Sequence, residues 1–368
     1  MKNRITAVGL ALCLGFSASG CASMLERSYS SSTHHVDRPT IAEDPSVLRV
    51  EDYRELVSAV LYLVSEGAQT GVIQLYDYSG PVEEDLPAAC LEVTAQDPLG
   101  AYCVDYIKHE YTRVLSYYQA TLDIHYRRTQ EQVRSMVRVT GTGAIRTELR
   151  QALTRFAPEV VLRVAYFSED ADFIRELIHQ TYYEDPAFAL GYPEAEISLY
   201  PDSGRERVVE ILLTYPESAD ELLRKSEALA RELENAEVGE PLSAAPAQEA
   251  LRALWARAAY APDGGSTAYD ALVSGVADDQ GMALGFALLA PGSRVVEGSR
   301  RGEPRFWNSL EGERETLYLD PSEGTGALYT AGELFDQGYR WADGPGELEG
   351  EDRSGQEQKE GEKGTESQ

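Results

Sequence analysis

The stretch that decides the fold runs from Thr267 to Leu289 and reads TAYDALVSGVADDQGMALGFALL. From Gln280 onwards it is a nearly continuous apolar run, which predicts a buried helix. Pro291 and Gly292 follow and are typical of a helix stop. Three strand-like segments separated by turn signals come next: Ser293–Gly298, Pro304–Leu310 and Glu315–Leu319. This part of the chain is therefore predicted to be a helix packed on an antiparallel sheet.

Two carboxylates, Asp278 and Asp279, stand at the start of the predicted helix. A carboxylate at this place is favoured by the helix macrodipole and can cap free N–H groups, which commonly contributes about 0.5–2 kcal/mol. From the residues alone, Asp279 is interpreted as an N-cap residue.

The same stretch, with SRVVEG (293–298), RFWNSL (305–310) and LYLDP (317–321) behind it, resembles the transglutaminase-like family, a branch of the papain-type cysteine enzymes. The family text is roughly YxALxxGxAVCxGYAxAF, then RVVxG, HAWNxV and YHVDP. The resemblance covers about Leu251 to Gly324, and Met282 departs from it where the family has Tyr. The matching positions are Tyr269, Ala271, Leu272, Gly275, Ala277, Gly281, Ala283, Trp307, Asn308, Asp320 and Pro321.

The resemblance implies a cleft that has lost the family's chemistry. The nucleophilic Cys of the family falls at Asp279 and its His at Arg305, whereas the third member is kept as Asp320. A cysteine enzyme needs a thiolate and a base, and an arginine stays protonated at physiological pH. No catalytic residue is therefore expected, and no Cys or His occurs after His179 to replace the lost pair. We expect Asp279 and Arg305 to form a partly buried ion pair with Asp320 as a second acceptor; the alternative is that both side chains point into solvent.

A silent cleft of this kind could hold a peptide or wall fragment without cutting it. Its candidate lining residues are Asp278, Gln280, Trp307 and Asn308. This interpretation expects no cofactor and no metal. In the alternative interpretation, an envelope hydrolase or metal-binding protein, Asp278, Asp279 and Asp320 act as an acid/base pair or gather a hard cation such as Ca²⁺. The charge of Arg305 would oppose a cation there.

The N-terminus resembles a bacterial lipoprotein signal. Lys2 and Arg4 precede a short apolar core, and Ala18-Ser19-Gly20-Cys21 is similar to a lipobox in which the lipid, such as palmitate, is added to Cys21. We therefore expect a lipid-anchored protein on the extracytoplasmic face of the cell membrane; a plain secreted protein is the alternative.

The rest of the chain predicts an α+β fold. Residues 22–39 form a predicted flexible tether, and 40–236 an N-terminal region of one or two units, with helices on a mainly antiparallel sheet. Residues 237–246 are predicted to be a linker, 247–342 the transglutaminase-like domain, and 343–368 a disordered acidic tail.

The net charge limits the classes of binding partner that we expect, and the cysteines limit the possible disulfides. A formal net charge of −29 argues against nucleic acid as a partner. The partners that remain expected are the membrane, through lipid on Cys21, and an envelope peptide or glycan. Cys90 is predicted to lie in a helix and Cys103 in a strand, and both a disulfide and two buried thiols stay open. A catalytic role for either cysteine is the least favoured interpretation.

Overall fold

The structure is a computed structural model that describes residues 40–41, 47–234, 244–312 and 315–345. The predicted signal peptide, Cys21, the predicted tether and most of the predicted acidic tail lie outside the described residues. Two compact units make up the chain. The first holds the described residues up to Arg134 with two short segments, Val164–Tyr166 and Gly204–Glu206, and the second holds the other described residues. The second unit includes residues on both sides of the predicted linker, and the predicted domain boundaries stay predictions.

The first unit is built on a five-stranded sheet with the strand order β1-β2-β3-β5-β4. Strands β2 and β3 are parallel and are joined through helix α1, whereas the other neighbours are antiparallel. Its elements are β1 (Thr40–Ile41), β2 (Val47–Val50), α1 (Tyr53–Ser65), β3 (Thr70–Tyr76), α2 (Val82–Ala95), α3 (Pro98–Cys103), β4 (Val104–Val114), β5 (Tyr117–Tyr126) and α4 (Gln130–Ser135).

The prediction that Cys103 lies in a strand is wrong. The side chain of Asp97 accepts hydrogen bonds from the N–H groups of Leu99 and Gly100, and Pro98 occupies the first turn. This cap starts helix α3, because it satisfies N–H groups that have no partner within the helix. Cys103 therefore ends a helix. It and Cys90 are buried free thiols, and burial raises the pKa of each to about 12.

The second unit begins with a four-stranded sheet of order β6-β7-β9-β8 and three helices. Strands β8 and β9 are antiparallel neighbours and form a hairpin around residues 201–204. Ser218 caps helix α7, because its Oγ accepts the N–H of Glu221 at 3.3 Å. The elements are β6 (Val137–Thr140), α5 (Gly141–Thr154), β7 (Glu159–Ala165), α6 (Ala171–Glu184), β8 (Glu194–Tyr200), β9 (Glu206–Thr214) and α7 (Ala219–Glu234).

The later part of the second unit is a buried helix on an antiparallel sheet of order β14-β13-β12-β15, as predicted for this stretch. A short parallel pair, β10 with β11, precedes the helix. The elements are α8 (Ala244–Trp255), β10 (Ala259–Gly265), a π-helical turn (Asp270–Ser274), β11 (Val276–Ala277), α9 (Asp279–Leu289), β12 (Arg294–Arg300), β13 (Glu303–Glu311), β14 (Thr316–Leu319), α10 (Ala331–Asp336) and β15 (Tyr339–Arg340).

The chain therefore has an α+β fold, as the sequence predicts. Eight of the eleven residues of helix α9 are buried, and its two glycines allow close packing. Within the described residues, no helix has the length and apolar character needed to cross a membrane.

Candidate functional site

The candidate site starts at the N-terminus of α9. Asp278 is the N-cap: its Oδ1 accepts the N–H of Gly281 at 2.8 Å, and its Oδ2 accepts the hydroxyl of Ser266. Partial burial raises the pKa of Asp278, and the neighbouring carboxylate of Asp279 acts in the same direction. The interpretation of Asp279 as the N-cap is therefore off by one residue.

Asp279 is the first residue of α9, and its side chain joins the helix to the sheet. Its Oδ2 accepts the backbone N–H of Phe306 in β13 at 2.6 Å. A charged acceptor makes this hydrogen bond stronger than one between neutral groups. The carboxylate at the position where the resemblance places a nucleophile is thus engaged with the protein's own backbone.

Arg305 lies on β13 next to Phe306, and its guanidinium is surrounded by acceptors. Nε donates to Oδ2 of Asp320 at 3.0 Å, Nη1 donates to the hydroxyl of Tyr260 at 3.0 Å, and Nη2 donates to the hydroxyl of Ser322. The side chain is only 15% exposed. Burial opposes the charge, but the carboxylate of Asp320 and the hydrogen bonds outweigh it and raise the pKa of Arg305.

Asp320, directly after β14, is the centre of this network. Besides Arg305, its oxygens accept the hydroxyl of Tyr339 at 2.8 Å, the N–H of Ser322 at 2.9 Å and the Ser322 hydroxyl. Its side chain is 2% exposed. A buried carboxylate is costly unless it is paired and hydrogen-bonded, and Asp320 has both kinds of partner.

The prediction that Asp279 and Arg305 form a direct ion pair is wrong. Arg305 pairs with Asp320, and Asp279 accepts a backbone N–H instead. The physical reason is the strand geometry: Arg305 and Phe306 are consecutive on β13, so their side chains leave opposite faces of the sheet. The alternative, in which both side chains point into solvent, does not hold for Arg305 because its side chain is mostly buried.

The candidate lining residues divide into two groups. Asp278 and Gln280 are partly exposed at the start of α9. Trp307 and Asn308 are both 0% exposed, so the prediction that they line an open cleft is wrong. Trp307 packs edge-on against Tyr339 with ring centres 5.0 Å apart, and this burial of a large aromatic surface stabilises the sheet.

Asn308 has a structural contact of its own. Its Nδ2 donates to the carbonyl oxygen of Ala283 at 3.0 Å, which ties β13 to the middle of α9. This part of the resemblance therefore corresponds to packing between the helix and the sheet.

The geometry does not favour the alternative in which three carboxylates act together. Asp278, Asp279 and Asp320 each accept hydrogen bonds from different protein donors. Across the described residues, no group of three His, Cys, Asp or Glu side chains is arranged to hold a metal ion.

Three residues of the site were not predicted from the sequence: Tyr260, Ser322 and Tyr339. A local signal existed for Ser322, because a Ser two residues after an Asp commonly closes a side-chain turn on it. Tyr339 lies 19 residues and Tyr260 45 residues from its partner, and no sequence pattern indicates such contacts.

A polar and aromatic cluster contacts Phe306 from helix α6. The ring of Tyr183 on α6 packs 5.6 Å from the ring of Phe306. One turn earlier on α6, Nε2 of His179 lies 2.6 Å from Oε2 of Glu297 on β12. Because Glu297 is the strand partner of Phe306, this cluster joins α6 to the sheet beside the site.

Comparison with known proteins adds little to this description. No protein-family model matches the chain, and no curated protein matches it. A solved structure, named as the crystal structure of a TGase, is similar with 9% identity and a TM-score of 0.25, over 55% of this chain and 61% of that one. The chain thus spans less than two thirds of that structure.

Proposed function

We propose that this chain is a non-catalytic, transglutaminase-like lipoprotein of the cell envelope, a binding or scaffold module for peptide or wall material. The main support is Arg305. At the position of the family's base stands a mostly buried guanidinium that pairs with Asp320, and the pair raises the pKa of Arg305. A group that cannot lose its proton cannot act as a general base.

The contacts of Asp279 support the same proposal. A carboxylate is a poor nucleophile toward amides, and one oxygen of this one is hydrogen-bonded to the N–H of Phe306. A thiolate activated by a base is what the family mechanism requires, and neither part has a substitute among residues after His179.

A ligand would meet the partly exposed start of α9. The Gln280 side chain carries both a donor and an acceptor, and Asp278 is a partly exposed carboxylate. Tyr260, which is 38% exposed, presents an aromatic face next to Arg305. These groups suit an extended peptide of neutral or basic character, since the chain itself is strongly acidic.

The cellular location in this proposal rests on the sequence. Lipid on Cys21 would hold the protein on the extracytoplasmic face of the membrane. Metabolic labelling with an acyl-chain analogue tests it: we expect label on the wild type and none on the Cys21→Ser variant. An unlabelled wild-type protein recovered from the medium would support the secreted alternative.

The absence of catalysis is tested by amine incorporation into, and hydrolysis of, a panel of envelope peptides by the purified protein. We expect no turnover above background in the wild type and in Asp279→Ala. Turnover in the wild type that Asp279→Ala abolishes would show altered chemistry at the carboxylates and contradict the proposal. Calorimetric titration of the same peptides measures binding, which Gln280→Ala should weaken while Glu311→Ala, an exposed change on β13, should not.

A further inference from the structure

Strand β4 is a long, open sheet edge. It is the last strand in the order β1-β2-β3-β5-β4, and no described strand pairs with its outer side. Seven of its eleven residues are exposed and only Val104 is buried. Such an edge presents unpaired N–H and C=O groups and can accept another strand.

The charges along β4 are arranged symmetrically and with opposite sign. Asp105 and Lys108 precede His109 by four and one residues, and Glu110 and Arg113 follow it by one and four. All four are exposed. A strand with this pattern is complementary to itself when it is turned around.

We propose that β4 pairs antiparallel with β4 of a second copy of this chain, in the register that places His109 opposite His109 of the second copy. In this register Lys108 faces Glu110 of the second copy, and Glu110 faces Lys108. Opposite charges directly across an antiparallel pair are favourable. Asp105 faces Arg113 at each end, although the pairing of β4 with β5 is irregular between Val104 and Tyr106.

The charges also exclude the neighbouring registers. A two-fold axis keeps each side chain on its own sheet face, so the register can change only in steps of two residues. A shift of two residues in one direction places Lys108 opposite Lys108 of the second copy. A shift of two residues in the other direction places Glu110 opposite Glu110 of the second copy. Like charges directly opposite each other are destabilising. The register centred on His109 is therefore favoured over both neighbours.

The uncharged side chains fit the same register. Ile107 would lie opposite Tyr111 of the second copy, an aliphatic–aromatic pair that occurs twice by symmetry. Tyr111 is 42% exposed, so its ring has area left to bury. Pairs of this kind are the ones that stabilise antiparallel sheets.

The first test uses charge exchange with the full chain in detergent micelles, measured by analytical ultracentrifugation over a range of concentrations. We expect the wild type to dimerise. Lys108→Glu alone and Glu110→Lys alone should each raise the dissociation constant about tenfold or more, because each turns two favourable pairs into two like-charge pairs. The double variant Lys108→Glu/Glu110→Lys should dimerise like the wild type.

Mixing the two single variants gives a stricter control. At positions 108 and 110, the Lys108→Glu variant carries two glutamates and the Glu110→Lys variant carries two lysines. A mixture of the two should therefore form heterodimers, whereas each variant alone should stay mostly monomeric. This recovery also shows that both single variants are folded. Heterodimer formation supports the proposal, and a mixture that stays monomeric overturns it.

A crosslink tests the register directly. Opposing residues on antiparallel strands have Cβ atoms about 4.5–5.5 Å apart, so His109→Cys should form an intermolecular disulfide under mild oxidation. Thr121→Cys, exposed on the interior strand β5, is the matched control and should not. A wild type that is monomeric at all concentrations overturns the proposal, whether the edge is left open or is covered by another part of the chain. Crosslinking that is equal at both positions also overturns it.

Discussion

Arg305 and Asp320 form an ion pair across the ends of two adjacent strands, with Nε of Arg305 3.0 Å from Oδ2 of Asp320. Arg305 lies on β13 and Asp320 directly follows β14. The carboxylate side chain is 2% and the guanidinium side chain 15% exposed. Removing one partner would leave the other charge buried, so a single substitution at this pair should have a large electrostatic effect.

The first prediction is that Arg305→Met destabilises the protein by about 3–5 kcal/mol, because Asp320 loses its ion-pair partner in a buried place. Urea unfolding at pH 7 measures this loss. The double variant Arg305→Met/Asp320→Leu should lose less than Arg305→Met alone, since it removes the unpaired charge as well.

A matched control lies on the same sheet. Arg294 pairs with Glu311 at 3.2 Å, but both side chains are more than two thirds exposed. Arg294→Met should therefore change the free energy of unfolding by less than about 1 kcal/mol. Equal losses for Arg305→Met and Arg294→Met would contradict the importance of burial in this argument.

The local elements of this fold could largely be predicted from the sequence. The apolar run after Gln280 predicts α9, and three strands were expected close to where β12, β13 and β14 lie. The error at Cys103 arose because Tyr and Val have high strand propensity, whereas the cap at Asp97 and the proline after it favour a helix there. The helix cap at Asp97 therefore decided the local structure against the strand propensity of the residues that follow.

The site was predictable in its residues but not in its pairing. The resemblance directed attention to Asp279, Arg305 and Asp320, and all three lie in one region of the structure. Which of them touch depends on strand alternation and on distant partners such as Tyr339, and sequence spacing contains neither. Trp307 and Asn308 belong to the same motif but are buried, because a motif does not indicate which of its residues serve packing.

The second prediction concerns a reactive thiol. Asp279→Cys places a thiol at the N-terminus of α9, where the helix end lowers the pKa of a thiol. Arg305 pairs with Asp320, and its side chain leaves the sheet on the face opposite to that of Phe306. We therefore expect alkylation of residue 279 at pH 7 in Asp279→Cys, at a rate that Arg305→His in the same chain changes by less than about twofold.

Mass spectrometry of the peptide that contains residue 279 follows this reaction separately from the other cysteines. Cys90 and Cys103 serve as internal references, because burial raises the pKa of each to about 12 and they should stay unmodified. A double variant Asp279→Cys/Arg305→His that reacts about tenfold faster than Asp279→Cys would show that position 305 acts on position 279 and would contradict this prediction.

The third prediction is a pH-dependent stability that comes from His179 and Glu297. Their hydrogen bond raises the pKa of His179 above its ordinary 6.5, although partial burial opposes this, and it lowers the pKa of Glu297 below its ordinary 4.5. The contribution of His179 to the free energy of unfolding is complete below pH 6.5 and is lost as the pH rises through the raised pKa of His179. The contribution of Glu297 to the free energy of unfolding is complete above pH 4.5 and is lost as the pH falls through the lowered pKa of Glu297.

The pair should therefore contribute most between pH 4.5 and 6.5. Both side chains are at least one third exposed, so solvent screening limits the gain to about 1 kcal/mol. Urea unfolding of the wild type and of His179→Gln, compared at pH 5.5 and at about pH 8.5, measures it: the difference should shrink at the higher pH. Glu297→Gln should abolish the same pH dependence, and a constant difference across the range would disprove the coupling.

The fourth prediction tests how tightly α9 is packed at the candidate site. A Cβ added at Gly281 would lie 2.5 Å from the carbonyl oxygen of Gly265 and 2.9 Å from Cβ of Ala277. We expect Gly281→Ala to destabilise the protein by about 1–3 kcal/mol, because the overpacking meets backbone and outweighs the gain of up to about 1 kcal/mol that alanine has over glycine in a helix. Gly332 in α10 is the matched control: a Cβ there meets nothing within 4 Å, so Gly332→Ala should be neutral or stabilising. Thermal unfolding of the two variants should shift in opposite directions or differ by several degrees, and a Gly281→Ala protein as stable as the wild type would mean that α9 can move away from β10 at little cost.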